Sequence, residues 1–179
     1  SPKIAELANK KGILTKIGIF EENFSKNIFN NHGQFDLIIA NNVFNHSDNP
    51  KSFFSGIKKL LADKGLFVFE SPYWLDSISS GKFDQIYHEH VTYISVKPIK
   101  KLASFFDLQI NDVFMSDYHG GSLRIIVSKK KNIENLEKIE NIIKKEEKLE
   151  LYSEIFYNSF MLKLNKKRNI FMEKIYKSL

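Results

Sequence analysis

The sequence predicts an α/β domain drawn from a doubly wound sheet, followed by a helical tail. Two short apolar runs, residues 35–40 and 66–69, read as strands of a sheet buried on both faces. Between them Phe53, Phe54, Ile57, Leu60 and Leu61 recur at the helical period, so strand, helix and strand follow in the order of a parallel crossover unit. Beyond Asn132 the apolar residues fall on one helical stripe, which marks the tail.

The other elements follow in order. Ser1-Pro2 opens a helix with Ile4, Leu7 and Ala8 on one face and Gly12 as its stop. Residues 13–20 predict a short strand and residues 23–31 a second helix. Asn49-Pro50 starts the crossover helix, and Asp63-Lys64-Gly65 predicts a turn before the second strand. The pattern loosens from Pro72 to Gly81. Residues 98–106 return to helix, and residues 108–115 and 123–127 predict two strands joined through Asp117-Tyr118-His119-Gly120-Gly121. In the tail, Ile133, Leu136, Ile139 and Ile143, then Leu149, Tyr152, Phe156, Phe160 and Leu164, form the stripe.

Composition bounds the function. At 179 residues the chain is the size of one ordinary domain, and 16 Phe supply ample core. No apolar run is long enough to span a membrane, and no signal pattern opens the chain, so the cytoplasm is the expected compartment. Zero Cys excludes disulfides and cysteine-ligated zinc within these residues. The net charge of +6 is uneven: residues 1–128 carry 14 basic and 13 acidic side chains, residues 129–179 carry 13 and 8. A basic excess confined to a helical tail, with no reading motif, argues against nucleic acid as a partner. Met occurs only at positions 115, 161 and 172, so the sequence reads as an excerpt of a longer protein.

Tyr87-His88-Glu89-His90, with Tyr93 close behind, concentrates proton-handling groups. An imidazole takes a proton near neutral pH, and a neighbouring carboxylate or phenol can orient it. A solvated polar turn is the plain alternative. His88 and His90 could also share a metal in an extended segment, but nothing in the sequence supplies the further ligands a stable site needs, and no metal is expected. Asn41-Asn42-Val43-Phe44-Asn45-His46 follows the first buried strand, and Glu70-Ser71-Pro72-Tyr73 ends the second. Ligands in open α/β sheets bind outside such carboxyl ends, although each segment reads equally as a polar loop. His119-Gly120-Gly121-Ser122 is either a tight turn or a backbone cradle for phosphate. The eight glycines never fall in a G-x-G-x-x-G or P-loop spacing.

Taken in order, Phe35-Asp36-Leu37-Ile38 with Asn41-Asn42-Val43-Phe44 and His46, Leu60-Leu61 with Lys64-Gly65, Phe69-Glu70-x-Pro72-Tyr73, Tyr87-His88-Glu89-His90 with Tyr93, and His119-Gly120-Gly121-Ser122-Leu123-Arg124 resemble the sugar C-methyltransferase family of class I S-adenosylmethionine-dependent methyltransferases. The resemblance covers roughly residues 1–128, and the tail only in general character. It implies a Rossmann-like methyltransferase sheet lacking its first strands, a partial domain over 1–128, and a helical linker over 129–179. It implies S-adenosylmethionine as cofactor and a nucleotide-linked keto sugar as small-molecule acceptor, methylated on a carbon next to the ketone. It also implies His90 as catalytic base with Glu89 and Tyr87 beside it. Asn41, Asn42, Val43, His46 and Glu70 are then expected at the cofactor, and Tyr73, His88, His119, Ser122 and Arg124 at the acceptor. The rival readings are an O- or N-methyltransferase on the same fold and a non-enzymatic module acting through the basic tail.

Overall fold

The computed structural model describes residues 1–82 and 84–178, except the side chain of His119. Helices α1 (Pro2–Lys10) and α2 (Glu22–His32) precede strand β1 (Phe35–Asn41), and α3 (Pro50–Leu60) leads into β2 (Leu61–Pro72). The short α4 (Trp74–Ser79) and then α5 (Val96–Phe105) lead to β3 (Gln109–Ser116) and β4 (Ser122–Ser128). The tail is α6 (Leu136–Lys148) and α7 (Glu154–Ser178).

The sheet order is β1-β2-β4-β3. β1 and β2 run parallel, and β4 lies antiparallel between β2 and β3. This is the expected α/β architecture, with a Rossmann-like crossover through α3 and a helical C-terminal tail. Asn49 caps α3 by accepting from the Ser52 N–H at 3.0 Å, and Pro50 occupies the first helical position, where no N–H is needed.

One sheet face holds the core. Phe67 and Phe69 of β2, Ile125 and Val127 of β4, and Val113 of β3 are all buried. They meet Phe53, Phe54 and Ile57 from α3 and Ile99 and Ala103 from α5 in one cluster. Phe44 sits at its centre, edge-on to Phe53, Phe54 and Phe69 at 5.1–5.4 Å, a favoured aromatic geometry.

Four expectations are corrected. β1 is not buried on both faces: Ala40 turns inward, but Leu37 and Ile39 are 54% and 60% exposed, beside an exposed Leu66 on β2. Residues 13–20 form no strand among the described residues. They have no neighbouring strand to pair with, and Ile13, Leu14, Ile17 and Ile19 stand exposed. Asp63-Lys64-Gly65 is not a separate turn: α3 passes directly into β2, and the extra residues are absorbed where the register to β1 shifts. A Cβ on Gly65 would lie 2.8 Å from the Phe35 carbonyl, so the strands approach too closely there for a side chain. Finally, the loosened stretch after Pro72 contains α4, too short to show a helical period. The tail stripe is only partly covered: Ile139, Ile143 and Phe160 are buried, while Ile133 and Leu136 stay exposed.

Candidate functional site

The site forms outside the carboxyl ends of β1 and β2. Past Asn41, the chain bends through Asn42 at φ 51°, a left-handed conformation that Asn tolerates. The Asn42 N–H donates to the Glu70 carbonyl at 2.7 Å, which ties this bend to the end of β2. A 3₁₀ turn, Phe44–His46, follows, pinned by the wholly buried Phe44. Asn45 is also buried, and its carbonyl accepts the N–H groups of Val91 and Thr92, each at 3.1 Å. The Thr92 hydroxyl adds a bond to the Ser47 carbonyl at 2.9 Å. Two segments more than forty residues apart are thereby fastened side by side.

This fastening brings His46 against the Tyr87–His90 turn. The turn closes through the His90 N–H on the Tyr87 carbonyl at 3.0 Å. The His46 and His90 rings lie 5.1 Å apart, and the Tyr87 and His90 rings 4.2 Å apart. His90 Nδ1 is 3.0 Å from the Gln85 carbonyl, and His46 Nδ1 is 2.8 Å from the Glu89 carbonyl. A carbonyl only accepts, so in the neutral ring each Nδ1 carries the proton and each Nε2 a lone pair. The Tyr87 hydroxyl donates to His90 Nε2 at 3.0 Å, and the Asn45 amide reaches His46 Nε2 at 3.4 Å. His90 is half-buried, while Tyr87 is 42% exposed. The result is an imidazole held at both ring nitrogens, with the exposed Tyr87 phenol at Nε2.

The remaining candidates divide by location. Glu89 and His88 are exposed, their side chains 3.9 Å apart and pointing outward from the turn. Asn41 and Val43 are exposed and Asn42 half-buried, and no side-chain hydrogen bond engages either Asn among the described residues. Glu70 is buried and committed: Arg124, its cross-strand partner, grips it through Nη2 at 2.8 Å and Nε at 3.0 Å. Ser122 is fully buried and donates to the Tyr118 carbonyl at 2.9 Å, closing the turn into β4. Tyr73 is buried too, and its hydroxyl donates to Glu146 of the tail at 3.0 Å. Burial and that carboxylate push the Tyr73 phenol far above its usual range. The side chain of His119 lies outside the described residues. Among the described residues, no group of three His, Cys, Asp or Glu is gathered as a metal site would require. No helix among them is long and apolar enough to cross a membrane.

Sequence reasoning missed Gln85 and named Asn45 only as a member of the 41–46 segment. Gln85 acts through its main-chain carbonyl, which leaves no side-chain signal. Asn45 was legible in principle, as a polar residue locked beside a core Phe at a strand's carboxyl end.

Residues 5–113 match the methyltransferase domain family, and residues 117–178 match the C-methyltransferase C-terminal domain. The chain belongs to the methyltransferase domain family. It is similar to the C-methyltransferase NovU of Streptomyces niveus, with 31% identity over 125 residues, which are 70% of this chain and 30% of that protein. The chain therefore spans less than a third of that relative. Among solved structures it is similar to magnesium protoporphyrin IX methyltransferase from Synechocystis PCC 6803 with bound SAH, at TM-score 0.43 and 15% identity over 54% of this chain and 46% of that one. A second likeness is to LepI in complex with SAM, at TM-score 0.41 and 10% identity over 53% of this chain and 26% of that one.

Proposed function

We propose that these residues activate the acceptor in a C-methyltransferase that uses S-adenosylmethionine and acts on a nucleotide-linked keto sugar. The observation that carries this reading is the orientation of His90. Its Nδ1–H is held by the Gln85 carbonyl, so its Nε2 lone pair points at the exposed Tyr87 phenol. The likeness to the C-methyltransferase NovU supports carbon as the acceptor atom. On the same reading, residues 1–128 are part of the methyltransferase domain and residues 129–179 a helical linker.

S-adenosylmethionine, when bound, supplies an electrophilic methyl carbon and leaves as a neutral thioether. The ends of β1 and β2 fit such a group in part: Asn41, Asn42 and Val43 have the free polar and apolar surface to hold it. Glu70 does not, because Arg124 already engages its carboxylate. His46 faces the Tyr87–His90 turn, so its role there is to hold the turn through the Glu89 carbonyl.

The protein's own groups account for carbon activation. His90 Nε2 takes the proton from the carbon next to the ketone, and the charge developing on its ring is supported by the Gln85 carbonyl. The Tyr87 hydroxyl, released from Nε2 as that nitrogen engages the carbon proton, donates to the ketone oxygen and stabilises the enolate. The turn anchored at Asn45 and His46 keeps base and phenol in register, which is how a fixed geometry lowers the barrier.

Replacing His90 with Ala in the whole protein tests this reading. Methyl transfer should fall on the order of 10²–10⁴-fold, the usual contribution of a general base, with cofactor affinity nearly unchanged. A variant that transfers methyl at the parent rate would favour an oxygen or nitrogen acceptor, which needs no carbon base.

A further inference from the structure

Glu146 belongs to the tail helix α6, yet it is fully buried. A carboxylate at that depth persists only where donors replace its water. Four do so. The Tyr73 hydroxyl and the Val96 N–H reach Oε1 at 3.0 and 2.7 Å. The Lys97 N–H reaches Oε2 at 3.0 Å, and the Tyr152 hydroxyl closes on the same oxygen. No Lys or Arg pairs with it among the described residues, so backbone and phenol donors alone hold the charge.

The positions of those donors matter more than their number. Val96 and Lys97 are the first two residues of α5, where helix N–H groups have no partner within the helix. Ser95 stands at the cap position but makes no side-chain cap bond, so Glu146 caps α5 from another helix. Tyr73 follows the end of β2 and pairs with Ile94 in an isolated parallel bridge, and the Trp74 N–H donates to the Ile94 carbonyl at 2.9 Å. Ile94 lies four residues beyond His90. The segment bearing the proposed base is thus anchored first at Asn45, through Val91 and Thr92. Its far end, Ile94 to Lys97, is anchored to Tyr73 and Trp74, just past β2, and to Glu146. The tail adds a second tie, since the Tyr157 hydroxyl accepts from the Trp74 indole at 2.9 Å and Trp74 packs on Tyr93 at 4.4 Å.

We infer that Glu146 is a positioning residue for the methyl transfer proposed above: it joins the tail, the end of β2 and the downstream flank of the His90 segment into one unit. The inference rests on that functional reading for its kinetic consequence, but not for its structural one. Docking of α6 then sets where His90 stands. The tail becomes part of the active-site frame, beyond its role as a connection.

The test is Glu146→Gln in the whole protein. The amide keeps the shape but turns an N–H₂ toward N–H and O–H donors. Hydrogen exchange read by mass spectrometry should show lost protection in residues 91–97, with residues 35–41 and 66–71 unchanged. The kcat for methyl transfer should fall about 10–100-fold, the scale of a displacement near 1 Å, with acceptor KM and cofactor Kd nearly constant. Added to His90→Ala, the same substitution should cost less than about twofold more, because the base it positions is gone. Unchanged exchange at 91–97, an equal loss of protection throughout the sheet, or a full additional loss beside His90→Ala would each overturn the inference. Should Glu146→Gln fail to fold, Tyr73→Phe removes one tie and carries the same readouts with a smaller expected loss. A His90→Ala variant that turns over normally would instead remove the functional reading, leaving the exchange experiment to decide the role of Glu146.

Discussion

Truncating Arg124 to Ala leaves the Glu70 carboxylate without its partner, and the cost follows from the geometry. The contacts at 2.8 and 3.0 Å join a side chain 7% exposed to one 53% exposed. Two unit charges about 3 Å apart attract by about 1.4 kcal/mol in water and about 5.5 kcal/mol at an effective dielectric of about 20. With the guanidinium half in solvent, the pair belongs in the lower part of that range, and other groups take up some of the lost attraction. The predicted destabilisation is about 1–3 kcal/mol, read as a shift in the midpoint of equilibrium urea unfolding. Glu70→Gln in the Arg124→Ala background should recover part of it, because a neutral amide is cheaper to leave buried than a lone carboxylate. If Arg124→Ala stays within about 0.5 kcal/mol of the parent, or the double variant is no better than the single, then Glu70 is solvated and free. It would return as a candidate cofactor ligand.

Two further predictions concern the chain as a body. Expressed alone, the 179 residues should self-associate and bind S-adenosylmethionine negligibly, because β1 presents an open edge with Leu37 and Ile39 exposed and residues 13–20 add four more exposed aliphatic side chains. Light scattering alongside isothermal titration would read this, and a monomer binding the cofactor at low micromolar concentration would refute it. Stability should also fall on the alkaline side. Tyr73 and Tyr152 have phenols raised above the usual value, first by burial and then by Glu146. A raised folded-state value means their contribution is fully present below about pH 10, the unfolded phenol range, and is lost as pH climbs beyond it. Thermal unfolding between about pH 8 and 11 should show that decline weakened in Tyr73→Phe, and an equal decline in parent and variant would contradict the assignment.

Much of the fold was legible because its signals are local. The apolar runs 35–40 and 66–69 and the helical period from Phe53 to Leu60 mark β1, β2 and α3, and the Gly-Gly turn marks the β3–β4 hairpin. What failed depends on neighbours. Residues 13–20 carry a strand's pattern but have no strand beside them, and β1 has an interior composition at an edge position. Asp63-Lys64-Gly65 has turn chemistry, yet the close approach at Gly65 makes it a bulge within a strand. The site follows the same rule. Tyr87 and His90 are three residues apart and their pairing is readable. His46 reaches them only because a buried Asn45 carbonyl joins two distant segments. Tyr73 reads as a ligand-facing aromatic at a strand end, but a carboxylate 73 residues further on turns its hydroxyl inward.

The central claim is that His90 removes a proton from carbon, and isotope exchange addresses that step without requiring turnover. The whole protein is incubated in deuterium oxide with a nucleotide-linked 4-keto sugar, and the proton next to the ketone is followed by NMR. The parent should wash that proton out, and His90→Ala should slow the exchange on the order of 10²–10⁴-fold, matching its loss of methyl transfer. Exchange at the parent rate in His90→Ala would show that the base lies elsewhere.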